Sequence, residues 1–305
     1  MRDPRSLYEL SEVPVPAGLP LVIGLTGFAD AGSVVAQTVD YVRGHLAPTL
    51  VAAFDVDELL DYRSRRPVIR FEKDRVTELR QPRLELELLT DDLGRQLLLL
   101  SGFEPDLQWR RFAAAVMDLI ARFEIGIVTW INSIPMPVPH TRPVGITVSG
   151  SRADLIDAMS VWQPTTEAPA TAVNLIDLQL QGLAHETAGF VVLVPHYLAD
   201  SDYPVAALAA LDAISAATGR VFPTDELRER GREFLTKVNE QVAENVDLAS
   251  LLSTLEQRHD AYMEDTTVKS LLTDTEGQLP SADELADELE RYLQNRPRKG
   301  SQPGE

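Results

Sequence analysis

The sequence predicts an α/β fold, an open and mostly parallel sheet flanked by helices, followed by an all-helical C-terminal domain. Three observations predict it. Short apolar runs alternate with helical patterns between residues 21 and 217. Leucine and glutamate alternate over residues 84–88, which is typical of an antiparallel strand. From Thr224 to Tyr262 a long helical pattern contains no proline and a single glycine.

The composition excludes several classes of protein. The chain has 305 residues, of which 44% are hydrophobic, and its length allows about two domains. A net charge of −19 repels phosphate backbones and anionic lipid, so we expect neither a nucleic-acid partner nor a membrane partner. The absence of cysteine excludes disulfides and cysteine metal sites. No apolar run approaches the roughly 18 residues of a membrane span, so we expect a cytoplasmic protein.

The first hundred residues indicate a sheet with an insertion. An apolar run at 21–25 ends near Gly27, a helical period follows over 34–46, and a second apolar run occupies 50–54. This order predicts a βαβ unit with a buried parallel pair of strands. Residues 67–101 then predict a β-hairpin insertion, whose strand at 84–88 has one wet face and whose turn lies at 91–94.

The rest of the chain alternates again and then becomes helical. Helices are predicted at 106–123, 171–183 and 205–217, strands at 125–131, 145–149 and 188–194, and an extended loop where four prolines fall between 135 and 143. The long pattern from Thr224 either breaks near Asn245 or projects outward, and a last helix begins near residue 281. We therefore expect an α/β core at 1–222, a helical domain at 223–296 and a flexible tail at 297–305.

Three loops follow apolar strands, at 26–32, 132–142 and 195–203. Ligands of open α/β sheets collect at the carboxyl ends of strands, so these loops form the candidate site. Its candidate ligand-binding residues are Gly27, Asp30, Gly32, Asn132, His140, Arg142, His196 and Tyr203. Arg142 is suited to a carboxylate or phosphate, and the histidines would add pH dependence.

Several of these residues also have a structural interpretation. Asp30 fits a helix cap, and His140 and Arg142 fit an interface loop made rigid by proline. Histidines in separate loops do not have metal-ligand spacing, and no serine stands in a G-x-S-x-G elbow. We therefore predict no catalytic residue, no metal and no cofactor.

Five short segments, at 27–32, 65–67, 102–106, 139–143 and 194–198, together resemble the actinobacterial branch of the proteasome assembly chaperone 2 family. The resemblance spans about residues 20–205. It implies an α/β core similar in topology to purine nucleoside phosphorylases, a helical C-terminal region, and self-association through the hairpin, most simply as a trimer. It implies no reaction.

Two functions from different classes follow. The first is a noncatalytic chaperone-like or scaffold protein, a homo-oligomer through the hairpin, with an unidentified protein partner at the helical region. The alternative is an enzyme or small-ligand binder of nucleoside phosphorylase type that uses Asp30, Asn132, His140, Arg142 and His196. A binding site needs an open cavity with convergent polar groups, whereas a scaffold leaves these side chains buried against one another.

Overall fold

Residues 3–27, 29–163 and 165–264 are described by the structure, a computed structural model. The strands are β1 (Tyr8–Leu10), β2 (Leu21–Thr26), β3 (Thr49–Phe54), β4 (Val68–Glu72), β5 (Arg75–Arg80), β6 (Leu84–Thr90), β7 (Gln96–Phe103), β8 (Ile127–Met136), β9 (Ile146–Gly150) and β10 (Glu186–Pro195). The helices are α1 (Val34–Leu46), α2 (Val56–Leu59), α3 (Trp109–Arg122), α4 (Ala153–Met159), α5 (Ala172–Gly182), α6 (Pro204–Thr218), α7 (Asp225–Glu244) and α8 (Val246–Glu264). The predicted helix near residue 281 and the tail at 297–305 lie outside the described residues.

The α/β class is confirmed, and the sheet has a parallel centre with antiparallel edges. Eight strands follow the order β1-β3-β6-β7-β2-β8-β10-β9. Strands β7, β2, β8 and β10 run parallel, while β1, β3 and β6 on one side and β9 on the other pair antiparallel. Short turns of 3-10 helix precede α1 at Ala31–Ser33 and follow β10 at His196–Leu198.

The predicted pairing of the first two apolar runs is wrong. Strands β2 and β3 flank α1, but β6 and β7 lie between them in the sheet. Strand β7 takes the place beside β2, with Leu21 opposite Leu98, because its leucine run is buried on both faces as a central parallel strand requires. The periodicity identified the strands but not their neighbours.

The insertion at 67–101 consists of two hairpins. Strands β4 and β5 form a separate two-stranded sheet, whereas β6 and β7 belong to the main sheet. The predicted wet face of β6 is wrong, since Glu87 is buried and Glu85 is half-buried. Both carboxylates contact the guanidinium of Arg43 on α1, and that pairing allows charge to lie beneath a helix. The turn is confirmed at Gly94, whose φ is +76°.

Helices cover both faces of the sheet. Helices α1 and α6 pack on one face, and α3 and α5 pack on the other. Helix α7 joins the first layer, because its Leu227 and Val238 belong to the same apolar cluster as α1 and α6. The long helical pattern breaks at Asn245, one of the two alternatives predicted, and the short α4 was not predicted. None of the described helices has the length and apolar character that a membrane span requires.

Candidate functional site

The three predicted loops meet at the carboxyl ends of β2, β8 and β10, which are neighbours in the sheet. Backbone hydrogen bonds join the first loop to the third. The N–H of Gly32 donates to the carbonyl of Ala199 at 2.7 Å, and the N–H of Tyr203 donates to the carbonyl of Gly32 at 2.8 Å. The convergence predicted from the sequence is therefore present.

The two glycines of the first loop have different reasons to be glycine. Gly32 has a φ of +68°, and a Cβ there would lie 3.0 Å from Tyr203 Cβ. A Cβ on Gly27 would lie 2.2 Å from Oε2 of Glu104, a buried carboxylate whose Oε1 accepts a hydrogen bond from the N–H of Ala172. Both positions serve close packing of the loop.

Asp30 caps the start of α1. Its Oδ1 accepts from the N–H of Val35 at 2.7 Å and its Oδ2 from the N–H of Ala36 at 3.0 Å. The hydroxyl of Ser133 on β8 donates to the same Oδ1 at 3.1 Å. Asn132, beside it, accepts through Oδ1 from the N–H of Ser133 at 3.1 Å. Of the two interpretations of Asp30, these contacts support the helix cap.

His140 lies buried between the third loop and α7. Its Nε2 lies 3.1 Å from Oδ1 of Asn239, and since an amide oxygen only accepts, Nε2 carries the proton. Its Nδ1 then accepts from the hydroxyl of Tyr197 at 2.7 Å, and that oxygen in turn accepts from the backbone N–H of His140. Burial raises the pKa of Tyr197 to about 12. The histidine thus links the proline-rich loop to α7.

Arg142 links the same loop to α8. Its guanidinium forms a bidentate pair with Asp260, with Nε to Oδ1 at 2.8 Å and Nη2 to Oδ2 at 2.6 Å, and its Nη1 contacts Glu256 at 3.3 Å. The hydroxyl of Thr141 also donates to Glu256. The hydrogen bonds from Arg142 lower the pKa of Asp260 to about 2. The predicted anion-binding cation therefore carries two carboxylates of its own chain.

The last two candidate residues pack among aromatic rings. The ring of His196 stands edge-on to that of Tyr197, with centroids 5.4 Å apart. Tyr203 is 1% exposed, its ring packs against Phe234 of α7 at 5.6 Å, and burial raises its pKa.

Sequence reasoning did not assign Tyr197, Asn239, Glu256 or Asp260 to the site. Tyr197 could have been found as the neighbour of His196. The other three lie on helices 99 or more residues away from their partners in the chain, so no local pattern relates them.

A cleft of about 100 Å³ opens beside the proline-rich loop. Its lining is mostly apolar and consists of Val138, Pro143, Val144, Gly145, Val161, Leu193, His259, Tyr262 and Met263. None of the eight candidate ligand-binding residues lines it. Within the described part of the chain, no group of three or more histidine and carboxylate side chains is placed to hold a metal ion.

Comparison with known proteins identifies the family of the chain. The model of the PAC2 family matches residues 24–242. Two proteins of unknown function have similar solved structures. The one from Mycobacterium tuberculosis is 38% identical, with a TM-score of 0.79 over 85% of this chain and 90% of that chain. The one from Corynebacterium glutamicum is 33% identical, with a TM-score of 0.81 over 85% of this chain and 98% of that chain.

A third structure shares the fold. A proteasome-assembly chaperone homologue from Mycobacterium tuberculosis is 22% identical, with a TM-score of 0.70 over 77% of this chain and 100% of that chain. A search of curated protein sequences finds no match. The match to the family model covers well over half of the sequence and confirms the resemblance seen in its motifs. The chain therefore belongs to the PAC2 family.

Proposed function

We propose that this protein is a noncatalytic, chaperone-like assembly protein that acts through protein contacts and self-associates through the β4–β5 hairpin. The observation that carries the proposal is the exposure of that hairpin. Every residue of both strands is exposed, and four of them are large apolar residues on one face. An isolated two-stranded hairpin is marginally stable in water, so a partner that covers this face would stabilise it.

The register separates the two faces of the hairpin. Ile69 pairs with Leu79 and Phe71 with Val76, and paired residues lie on the same face of a sheet. A register shift after Arg70 places Val76 opposite Phe71, which completes the apolar face. We call these four residues, each more than half exposed, the apolar hairpin face.

The opposite face is charged. Arg70 pairs in register with Glu78, at 3.5 Å, and Arg80 contacts the same carboxylate at 3.3 Å. Charged residues on one face protect it from further strand packing, so association through the other face is favoured. A closed ring of copies would cover the apolar hairpin face, and the family resemblance makes a trimer the simplest such ring.

The cluster formed by the loops at 26–32, 132–142 and 195–203 also supports a protein-binding function. Asp30, His140 and Arg142 are satisfied by groups of their own chain, which favours a structural role over an open ligand site. The name of the third structural relative, a proteasome-assembly chaperone homologue, points to the same class of activity. We also propose a core topology similar to that of purine nucleoside phosphorylases and a cytoplasmic location. The protein partner is expected at the helical region 223–296.

Light scattering of the full chain at micromolar concentration tests it. We expect a multiple of the monomer mass of 33.7 kDa and a shift to monomer in Phe71→Glu. Val68→Glu is the matched control, since Val68 is similarly exposed but lies on the charged face, opposite Arg80. A monomeric wild-type chain, or equal dissociation by both substitutions, contradicts the proposal. Saturable binding of a nucleoside or phosphate, lost in Arg142→Ala, would favour the small-ligand alternative.

A further inference from the structure

Ion pairs and hydrogen bonds connect helix α8 to the α/β core, beside the packing of Tyr262. The Arg142 guanidinium binds Asp260 and Glu256, and the hydroxyl of Tyr262 donates to the carbonyl of Val161 at 3.0 Å. Only Leu255 is fully buried among the 19 residues of the helix. Exposed ion pairs contribute little to stability and weaken with salt, so this attachment is weaker than that of α7.

The seam between α8 and the core is incompletely filled. The cleft of about 100 Å³ lies in this seam, with Val138, Val161 and Leu193 on the core side and His259 and Tyr262 on the helix side. Protein interiors are normally packed to crystal density, and a gap removes dispersion contacts from both walls. We call the core side, together with Arg142, which directly precedes the lining residue Pro143 in the chain, the α8 groove.

Helix α8 is also structurally separate from α7. Asn245 alone joins them, in an extended conformation with φ −128° and ψ 109°. Its Oδ1 accepts from the N–H groups of Asp247 and Leu248, so α8 has its own N-terminal cap. A rotation at Asn245 therefore moves α8 without unwinding either helix.

The residues of α8 that meet the core define what the α8 groove recognises. Two carboxylates four residues apart, Glu256 and Asp260, meet the Arg142 guanidinium, and the aromatic Tyr262 packs on the apolar floor. A guanidinium is suited to bidentate carboxylate recognition, and a helix places residues i and i+4 on one face.

We infer that the α8 groove is a docking site for an acidic amphipathic helix of a partner protein, and that α8 occupies it as a displaceable internal substitute. The ligand carries two carboxylates at i and i+4 and an aromatic residue two positions further on. The inference rests on the proposed function in that its ligand is a protein.

A binding assay with a fluorescent peptide of residues 246–264 tests this in the full chain. The substitution Asp260→Asn weakens the attachment of α8 to the groove but leaves the groove itself intact. We therefore expect this variant to bind the peptide about tenfold more tightly than the wild-type chain does. Arg142→Ala breaks the pairs with both Asp260 and Glu256 and so releases α8 at least as much, but it also removes the groove's cation, so we expect no gain. Asp247→Asn, which neutralises an exposed carboxylate of α8 away from the groove, should match wild type.

The absence of natural cysteine allows a second measurement by spin labelling. Labels at Asp212→Cys on α6 and Gln257→Cys on α8 occupy exposed positions, and the distance between them should lengthen when the peptide binds. An unchanged distance, or equal peptide affinity in Asp260→Asn and Arg142→Ala, overturns the inference. Peptide-free assembly of the Asp260→Asn chain beyond the wild-type mass would make a second copy the occupant and overturn it as well.

The same assays in a Phe71→Glu background separate this inference from the proposed function. Phe71 lies on the β4–β5 hairpin, a two-stranded sheet separate from the main sheet to which the strands beside the groove belong. One outcome is that the variants at Asp260 and Arg142 bind the peptide as expected while Phe71→Glu leaves the mass of the assembly unchanged. That result would contradict self-association through the hairpin and support the α8 groove. The reverse result would support self-association and overturn the groove.

Discussion

Substitution of Gly32 tests whether the turn before α1 depends on glycine. Its φ of +68° costs an L-residue about 1–2 kcal/mol. An added Cβ would also lie 3.0 Å from Tyr203 Cβ and 3.2 Å from Val194 Cγ1, and forcing a methyl group into a packed core costs about 1–3 kcal/mol. We therefore expect Gly32→Ala to lower the free energy of unfolding by about 2–5 kcal/mol.

Urea unfolding and thermal melts of the full chain measure this change. For a chain of this size, a loss of that magnitude lowers Tm by roughly 3–10 °C. Gly44→Ala is the matched control, because Gly44 lies exposed within α1 with no atom near its added Cβ. Alanine there should stabilise by about 0.5–1 kcal/mol. Coincident melts of Gly32→Ala and wild type would refute the packing account of this turn.

Two further predictions concern ion pairs. Arg43→Ala leaves the buried Glu87 without its cation and should cost about 3–5 kcal/mol in urea unfolding, with partial recovery in the double variant with Glu87→Gln. Burial raises the pKa of Glu87, so its contribution to stability is present below its ordinary pKa and is lost as pH rises through the raised value; a denaturation midpoint independent of pH there would contradict this. The pKa of Asp260, lowered to about 2 by Arg142, makes stability depend on pH in the opposite direction. Its stabilisation is present above the ordinary value of 3.8 and is lost as pH falls toward 2, and Arg142→Ala should return the pKa, followed by NMR titration, toward that ordinary value.

The sequence by itself determined which segments are strands and helices at most positions. Apolar periodicity located β2, α1, α3 and β10, and the polar interruption at Asn245 marked where the long helical pattern breaks. These are local properties, since periodicity reports which faces of a segment are apolar within one or two turns. The convergence of the three loops followed from the rule that strand ends share an edge.

Only the tertiary structure decided what each face meets. The Leu/Glu alternation of β6 predicted a wet face, but Arg43 on a distant helix covers Glu87. The loop residues His140 and Arg142 had two interpretations, and their partners stand 99 and 118 residues away in the chain. A sequence pattern shows the chemistry of a side chain, but it does not show which residue pairs with that side chain in the fold. That neighbour is set by how α7 and α8 pack on the sheet.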